Sequence, residues 1–145
     1  MLYLAADHAG FALKEMIGAR LKEQGTTFED LGAFSDQPTD YPALARELTT
    51  AVLASRGRGI MICGSGEGMA IVANRQRGAR AAVVWSPEVT VETREDNDAN
   101  IISLPARFID SETGWRIVQA FLATTFSGTD RHQRRIQQID EPAND

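Results

Sequence analysis

One cysteine occurs in 145 residues, Cys63, and it stands where the apolar run Gly59-Ile60-Met61-Ile62 gives way to Gly64-Ser65-Gly66-Glu67-Gly68. A thiol delivered there meets a loop of backbone N–H donors beside a helix start, so a base or nucleophile and an anion cradle coincide. Such donors stabilise negative charge developing on a small substrate oxygen, which is what an enediolate needs. The loop is not the dinucleotide fingerprint, because Met69 stands where G-x-G-x-x-G requires its last glycine. Met69 also stands where the loop of cysteine phosphatases carries its arginine. The plainer alternative is a buried structural cysteine beside a tight turn, a common fate of free thiols.

Three other groups are candidates. Asp7-His8-Ala9-Gly10 follows the first apolar run and reads either as a helix cap or as a polar pair facing a ligand. Arg131 and Arg135 are four residues apart, so on a helix they share a face that could grip a phosphate, with Arg134 flanking and His132 pointing elsewhere. A solvated helix end is the alternative for that run. Arg107 is a further candidate phosphate ligand or a surface charge.

The elements that position these groups alternate. Apolar runs predict strands at residues 2–6, 27–31, 59–63, 79–85 and 100–104. Helical spacing predicts helices from 11 to the stop at Gly25, then over 42–55, 67–75, 87–95 and 111–125, with Asp40 as a cap for the second. Five mostly continuous apolar strands separated by helices imply a doubly wound, three-layer α/β sandwich with a five-stranded parallel sheet, Rossmann-like in layout. Ligands bind such sheets beyond the carboxyl ends of the strands, which singles out Asp7-His8, residues 63–68, Ser86 and residues 105–107.

The length suits one domain, residues 1–145, with a basic tail at 129–145 expected to contribute to a phosphate site. A net charge of −5 argues against nucleic acid or an anionic membrane as the main partner. One unpaired cysteine, no signal-peptide pattern and no long apolar run lead us to expect a cytoplasmic protein. A receiver-type signalling domain is disfavoured, because Cys63 ends the central strand where a phospho-accepting aspartate would be required.

With Leu4-Ala5-Ala6-Asp7-His8-Ala9-Gly10-Phe11, Asp40-Tyr41-Pro42, Cys63-Gly64-Ser65-Gly66 through Ala73-Asn74-Arg75, Asn97-Asp98-Ala99-Asn100 and Arg131-His132-Gln133-Arg134-Arg135 in this order, the chain resembles ribose-5-phosphate isomerase type B. The galactose-6-phosphate isomerase subunits belong to the same family. The resemblance implies aldose–ketose isomerisation of a tetrose, pentose or hexose phosphate through a cis-enediolate, without metal or organic cofactor. By position, it implies Cys63 as the base between C1 and C2 and Ser65 as a proton shuttle between the oxygens. It places Gly64, Gly66, Glu67 and Gly68 in the anion-stabilising loop, with Glu67 at a variable position. It also implies substrate contacts from Asp7, His8, Tyr41 and Asn97, and phosphate contacts from His8, Arg107, Arg131 and Arg135. Family sites lie between subunits, so a homodimer, or dimers paired as a tetramer, is implied.

One position departs from the pattern. Asp96 stands where family members commonly carry the histidine assigned to opening the sugar ring. An ionised carboxylate accepts a proton but donates poorly near neutral pH. Asp96 is the catalytic candidate at that position, with solvent or another residue as alternatives. A substrate that never cyclises is a further alternative: in a tetrose 4-phosphate the ester blocks O4. The competing functional reading is a catalytically silent sugar-phosphate-binding or partner subunit of the same family.

Overall fold

In the computed structural model, which describes residues 1–142, apolar runs become the central strands of one parallel sheet. The elements are β1 (Leu2–Ala6), α1 (Phe11–Glu23), β2 (Phe28–Asp30), α2 (Tyr41–Ser55), β3 (Arg58–Cys63), α3 (Glu67–Ala73), β4 (Ala81–Val83), α4 (Pro87–Asn97), β5 (Ile101–Pro105), α5 (Ser111–Ala123) and α6 (Asp130–Ile139). The strand order is β2-β1-β3-β5-β4. All pairings are parallel, with Ala6 beside Ile62 and Cys63 beside Pro105.

Alternation along the strands divides the core into two layers. Leu4, Ile60, Ile62, Ile102 and Leu104 pack against Ile17 and Leu21 of α1 and Ile117, Val118 and Phe121 of α5. Tyr3, Ala5, Met61, Cys63 and Ile101 face Ala45, Leu48 and Val52 of α2 and Met69 and Ala73 of α3. Both sheet faces are therefore covered, the condition under which β1, β3 and β5 are buried nearly throughout. The two edge strands are shorter than their apolar patterns predict. Outer strands lack a second neighbour to extend the ladder, and β4, expected over 79–85 but paired only over Ala81–Val83, shortens most. No helix of the described residues is long and apolar enough to cross a membrane.

Gly10 lets α1 start against the sheet: a Cβ there would lie 2.4 Å from the Ile62 carbonyl oxygen. That approach brings the β1–α1 turn directly beside the end of β3. The basic tail folds as α6, whose one buried residue is His132, while residues 143–145 of the expected phosphate-site tail lie outside the described residues.

Candidate active site

The three central strands each deliver a polar segment to the same end of the sheet. Asp7 and His8 follow β1, Cys63 ends β3 and opens the glycine loop, and Arg107 follows β5. Together with Tyr41, Ser65 and Gly68 they line one crevice of about 330 Å³. Because β1, β3 and β5 are neighbours, sheet pairing alone places residues that are distant in sequence side by side. The crevice lies at the carboxyl ends of the strands, where chain reversals in an open parallel sheet leave room for a ligand.

Backbone hydrogen bonds hold these segments in register. The Asp7 N–H donates to the Ile62 carbonyl, the Ala106 N–H to the Cys63 carbonyl and the Arg107 N–H to the Gly64 carbonyl, at 2.9–3.1 Å. Asp7 is nearly buried, and its Oδ1 accepts the Gly10 N–H at 3.1 Å. The α1 cap position itself is Gly10, so Asp7 braces the turn before the helix rather than capping it. His8 Nδ1 accepts the Thr39 N–H at 3.2 Å. In the neutral ring that bond leaves the proton on Nε2, a donor available to an anionic ligand.

The glycine loop is shaped for close approach. Gly66 has φ +77° and occupies the cap position of α3, a left-handed conformation that favours glycine. A Cβ on Gly64 would come within 2.8 Å of the Arg107 guanidinium, and one on Gly68 within 2.8 Å of the Tyr41 ring. The absent side chains are what allow Arg107 and Tyr41 to lie over the loop. Ser65 Oγ accepts the Glu67 N–H at 3.2 Å, which leaves its own hydroxyl hydrogen free. Glu67 itself is exposed on the first turn of α3 and does not line the crevice. Cys63 is 4% exposed, the floor of the crevice and at the same time part of the α2/α3 core. Asp40 precedes α2 at its cap position but makes no side-chain cap bond.

The remaining candidates are not at this crevice within one chain. Asp96 and Asn97 sit at the C-terminal end of α4. A crossover helix runs antiparallel to its strands, so that end lies by the strand starts, where Arg80 Nε donates to the Asn97 carbonyl at 3.0 Å. Asn97 lines a separate cavity of about 330 Å³ with Asn74, Arg80, Ile139 and Asp140. Asp96 Oδ1 is 3.2 Å from His132 Nε2. Arg131 and Arg135 are exposed on α6, which docks on α4 and is tied near the strand starts by the bond from the Gly78 N–H to Asp140 Oδ1. The fold thus gathers Asp7, His8, Tyr41, Cys63, Gly64, Ser65, Gly68 and Arg107, and sets Asp96, Asn97, Arg131 and Arg135 apart.

Sequence reasoning did not single out Thr39, which fixes the His8 ring, or Arg46, which lines an adjoining cavity with Asp7, His8 and Tyr41. Arg46 lies five residues after Tyr41 on α2, a spacing that does not put the two on one helical face, so no local pattern pointed to it. Among the described residues no cluster of three or more His, Cys, Asp or Glu side chains is arranged to hold a metal ion.

A family model described as Ribose/Galactose Isomerase matches residues 2–139. The chain belongs to the ribose/galactose isomerase family. Ribose-5-phosphate isomerase B of Mycolicibacterium paratuberculosis is 42% identical over 142 residues, covering 97% of this chain and 89% of the relative. The Escherichia coli protein of the same name is 39% identical over 134 residues, covering 92% and 89%. Among solved structures of this family, a ribose 5-phosphate isomerase from Thermotoga maritima superposes with a TM-score of 0.94 at 43% identity, covering 97% of both chains. Ribose-5-phosphate isomerase B from Mycoplasma genitalium, solved with bound ribulose-5-phosphate, gives a TM-score of 0.90 at 36% identity and covers 95% and 92%. The five-stranded parallel α/β layout expected from the apolar runs is therefore that of the isomerase family.

Proposed function

We propose that this chain interconverts an aldose phosphate and the corresponding ketose phosphate through a cis-enediolate. The observation that carries the reading is the meeting of the Cys63 thiol, the glycine loop, His8 and Arg107 at the ends of three adjacent strands, in a chain of the ribose/galactose isomerase family. As the thiolate, Cys63 takes the C2 proton of the aldose; the electron pair forms the C1–C2 double bond, and the proton returns to C1 to give the ketose. N–H groups of the glycine loop, other than that of Glu67 held by Ser65 Oγ, stabilise the enediolate oxygens, which accumulate charge only as the C–H bond breaks. The free hydroxyl hydrogen of Ser65 allows proton movement between O1 and O2. Arg107 and the Nε2–H of His8 supply cationic and neutral donors for the phosphate, while Asp7 and Tyr41 border the sugar.

Two copies of the chain complete the site in this reading. The set that stands apart, Asp96, Asn97, Arg131 and Arg135, lies at the strand starts of its own subunit and reaches the crevice of a second copy in a homodimer. No step requires a metal or organic cofactor. One reduced cysteine and a phosphorylated substrate fit a cytoplasmic setting.

Deuterium exchange at the sugar C2 position, followed by NMR in heavy water with ribose 5-phosphate and a tetrose 4-phosphate, tests the assignment. Exchange by the native chain that disappears in Cys63→Ala supports it. Binding of either sugar phosphate without exchange would instead identify a silent binding subunit.

A further inference from the structure

A second cavity, of about 420 Å³, opens at the other end of the sheet from Cys63 and is walled by Arg56, Arg58, Arg80, Arg94, Asp98 and Asn100. Four arginines and one aspartate line it, three positive charges in excess within a chain whose overall charge is −5. Part of this arrangement is structural. Arg58 donates to the Phe121, Leu122 and Thr124 carbonyls and Arg94 to the Thr124 and Ala99 carbonyls, closing the end of α5. Asp98 is shared between Arg80 at 3.2 Å and Arg94 at 2.8 Å.

Capping accounts for where the guanidinium groups sit but does not use all their donors. Among the described residues, Arg56 makes no side-chain hydrogen bond or ion pair, and neither Arg58 Nε nor the second terminal nitrogen of Arg94 has a partner. Burial, and next the charge of Arg94, lower the Arg58 pKa, with Asp98 opposing them. Positive charge is thus crowded here beyond what the one carboxylate relieves. A tetrahedral dianion with several acceptor oxygens matches converging guanidinium groups better than a chloride ion or a planar carboxylate does.

We propose that this cavity binds a phosphate dianion, free or as a phosphomonoester, at a site separate from the Cys63 crevice. None of the residues assigned above to substrate lines it. The proposal stands whether or not the isomerase reading holds. Arg56 and Asp98, the cap residues that end α2 and α4 at the cavity, both adopt left-handed backbone conformations, with φ 52° and 44°.

Inorganic phosphate titrated at constant ionic strength into the full-length chain, read from the amide resonances of Gly57 and Gly78 in a two-dimensional NMR spectrum, tests this. Saturable shifts of both are expected in the native chain and in Arg107→Ala, in which the crevice is impaired. Arg56→Glu should weaken those shifts at least tenfold without changing KM for sugar phosphate. Arg56→Gly, well tolerated at a positive φ, should weaken them by less. Ribose 5-phosphate in a parallel titration separates the sources: the same shifts indicate a phosphomonoester site, and their absence a site for free phosphate. Equal shifts in the native chain and Arg56→Glu, or loss of all phosphate shifts in Arg107→Ala, would overturn the proposal.

Discussion

His132 Nε2 lies 3.2 Å from Asp96 Oδ1, and the imidazole is 7% exposed against 40% for the carboxylate. This pair joins α6 to α4. The rest of α6 is strongly polar, and among the described residues His132 is its only buried one. Where the resemblance implies a histidine, this chain has the Asp96 carboxylate, backed by an imidazole from another helix. As a residue type, a carboxylate is a poorer proton donor near neutral pH than an imidazole.

For that reason, turnover of a tetrose 4-phosphate is expected to exceed that of ribose 5-phosphate, since only the second must open a ring before C2 is accessible to the base. Initial rates on the two purified substrates decide the point, and the reverse order would reject it. Asp96→His is expected to raise the rate on ribose 5-phosphate while leaving the four-carbon rate nearly unchanged.

Replacing His132 by alanine should loosen α6 without unfolding the sheet. Hydrogen exchange of amides 130–139 is expected to rise towards that of an open segment, with core amides of β1 and β3 still protected. Uniform acceleration across both regions would show that His132 serves global stability instead.

Cys63→Ala should lower kcat by about 100- to 10,000-fold, the range for removal of a positioned acid or base, while sugar-phosphate affinity measured by calorimetry changes little. Gly64→Ala acts differently. The new Cβ meets the far end of the Arg107 side chain rather than backbone, so the guanidinium is pushed off the loop and KM rises. Arg107→Ala should reproduce that increase, by roughly 10-fold or more if one charge-assisted hydrogen bond of about 1.5–3 kcal/mol is lost.

Gly10→Ala tests the approach of α1 to the sheet. Its Cβ would meet the Ile62 carbonyl carbon and oxygen at 2.7 and 2.4 Å, and backbone in the middle of a sheet cannot move aside cheaply. A loss of at least about 1–3 kcal/mol in denaturant unfolding is expected.

Lys14 gives the largest expected effect of a surface-type residue. It is fully buried on α1, bonded to Asp30 of β2, 3.0 Å from Glu15 and over the Phe11 and Phe34 rings. Asp30→Asn leaves the ammonium with Glu15 alone and should cost up to about 3 kcal/mol, below the full value for an orphaned buried charge because one partner remains. Thermal unfolding of the variant measures it.

Local pattern alone set out the alternation of strands and helices, because continuous apolar runs can be satisfied only by burial on both faces of a sheet. It also located Cys63 at a strand tip and the glycines of its loop, since both are statements about neighbours along the chain. The burial of Lys14 was not legible in this way: an amphipathic lysine on a helix looks solvated until the fold supplies Asp30 from β2. Nor did spacing decide which candidates meet. Strand order places Asp7, Cys63 and Arg107 together although 100 residues separate the first from the last. The antiparallel run of α4 sends Asp96 and Asn97 to the opposite end, although they are nearer to Cys63 in sequence than Asp7 is. Residue types are fixed by the chain and their periodicity by the local backbone, but proximity across a sheet depends on which strands become neighbours, and that is decided only when the whole core packs.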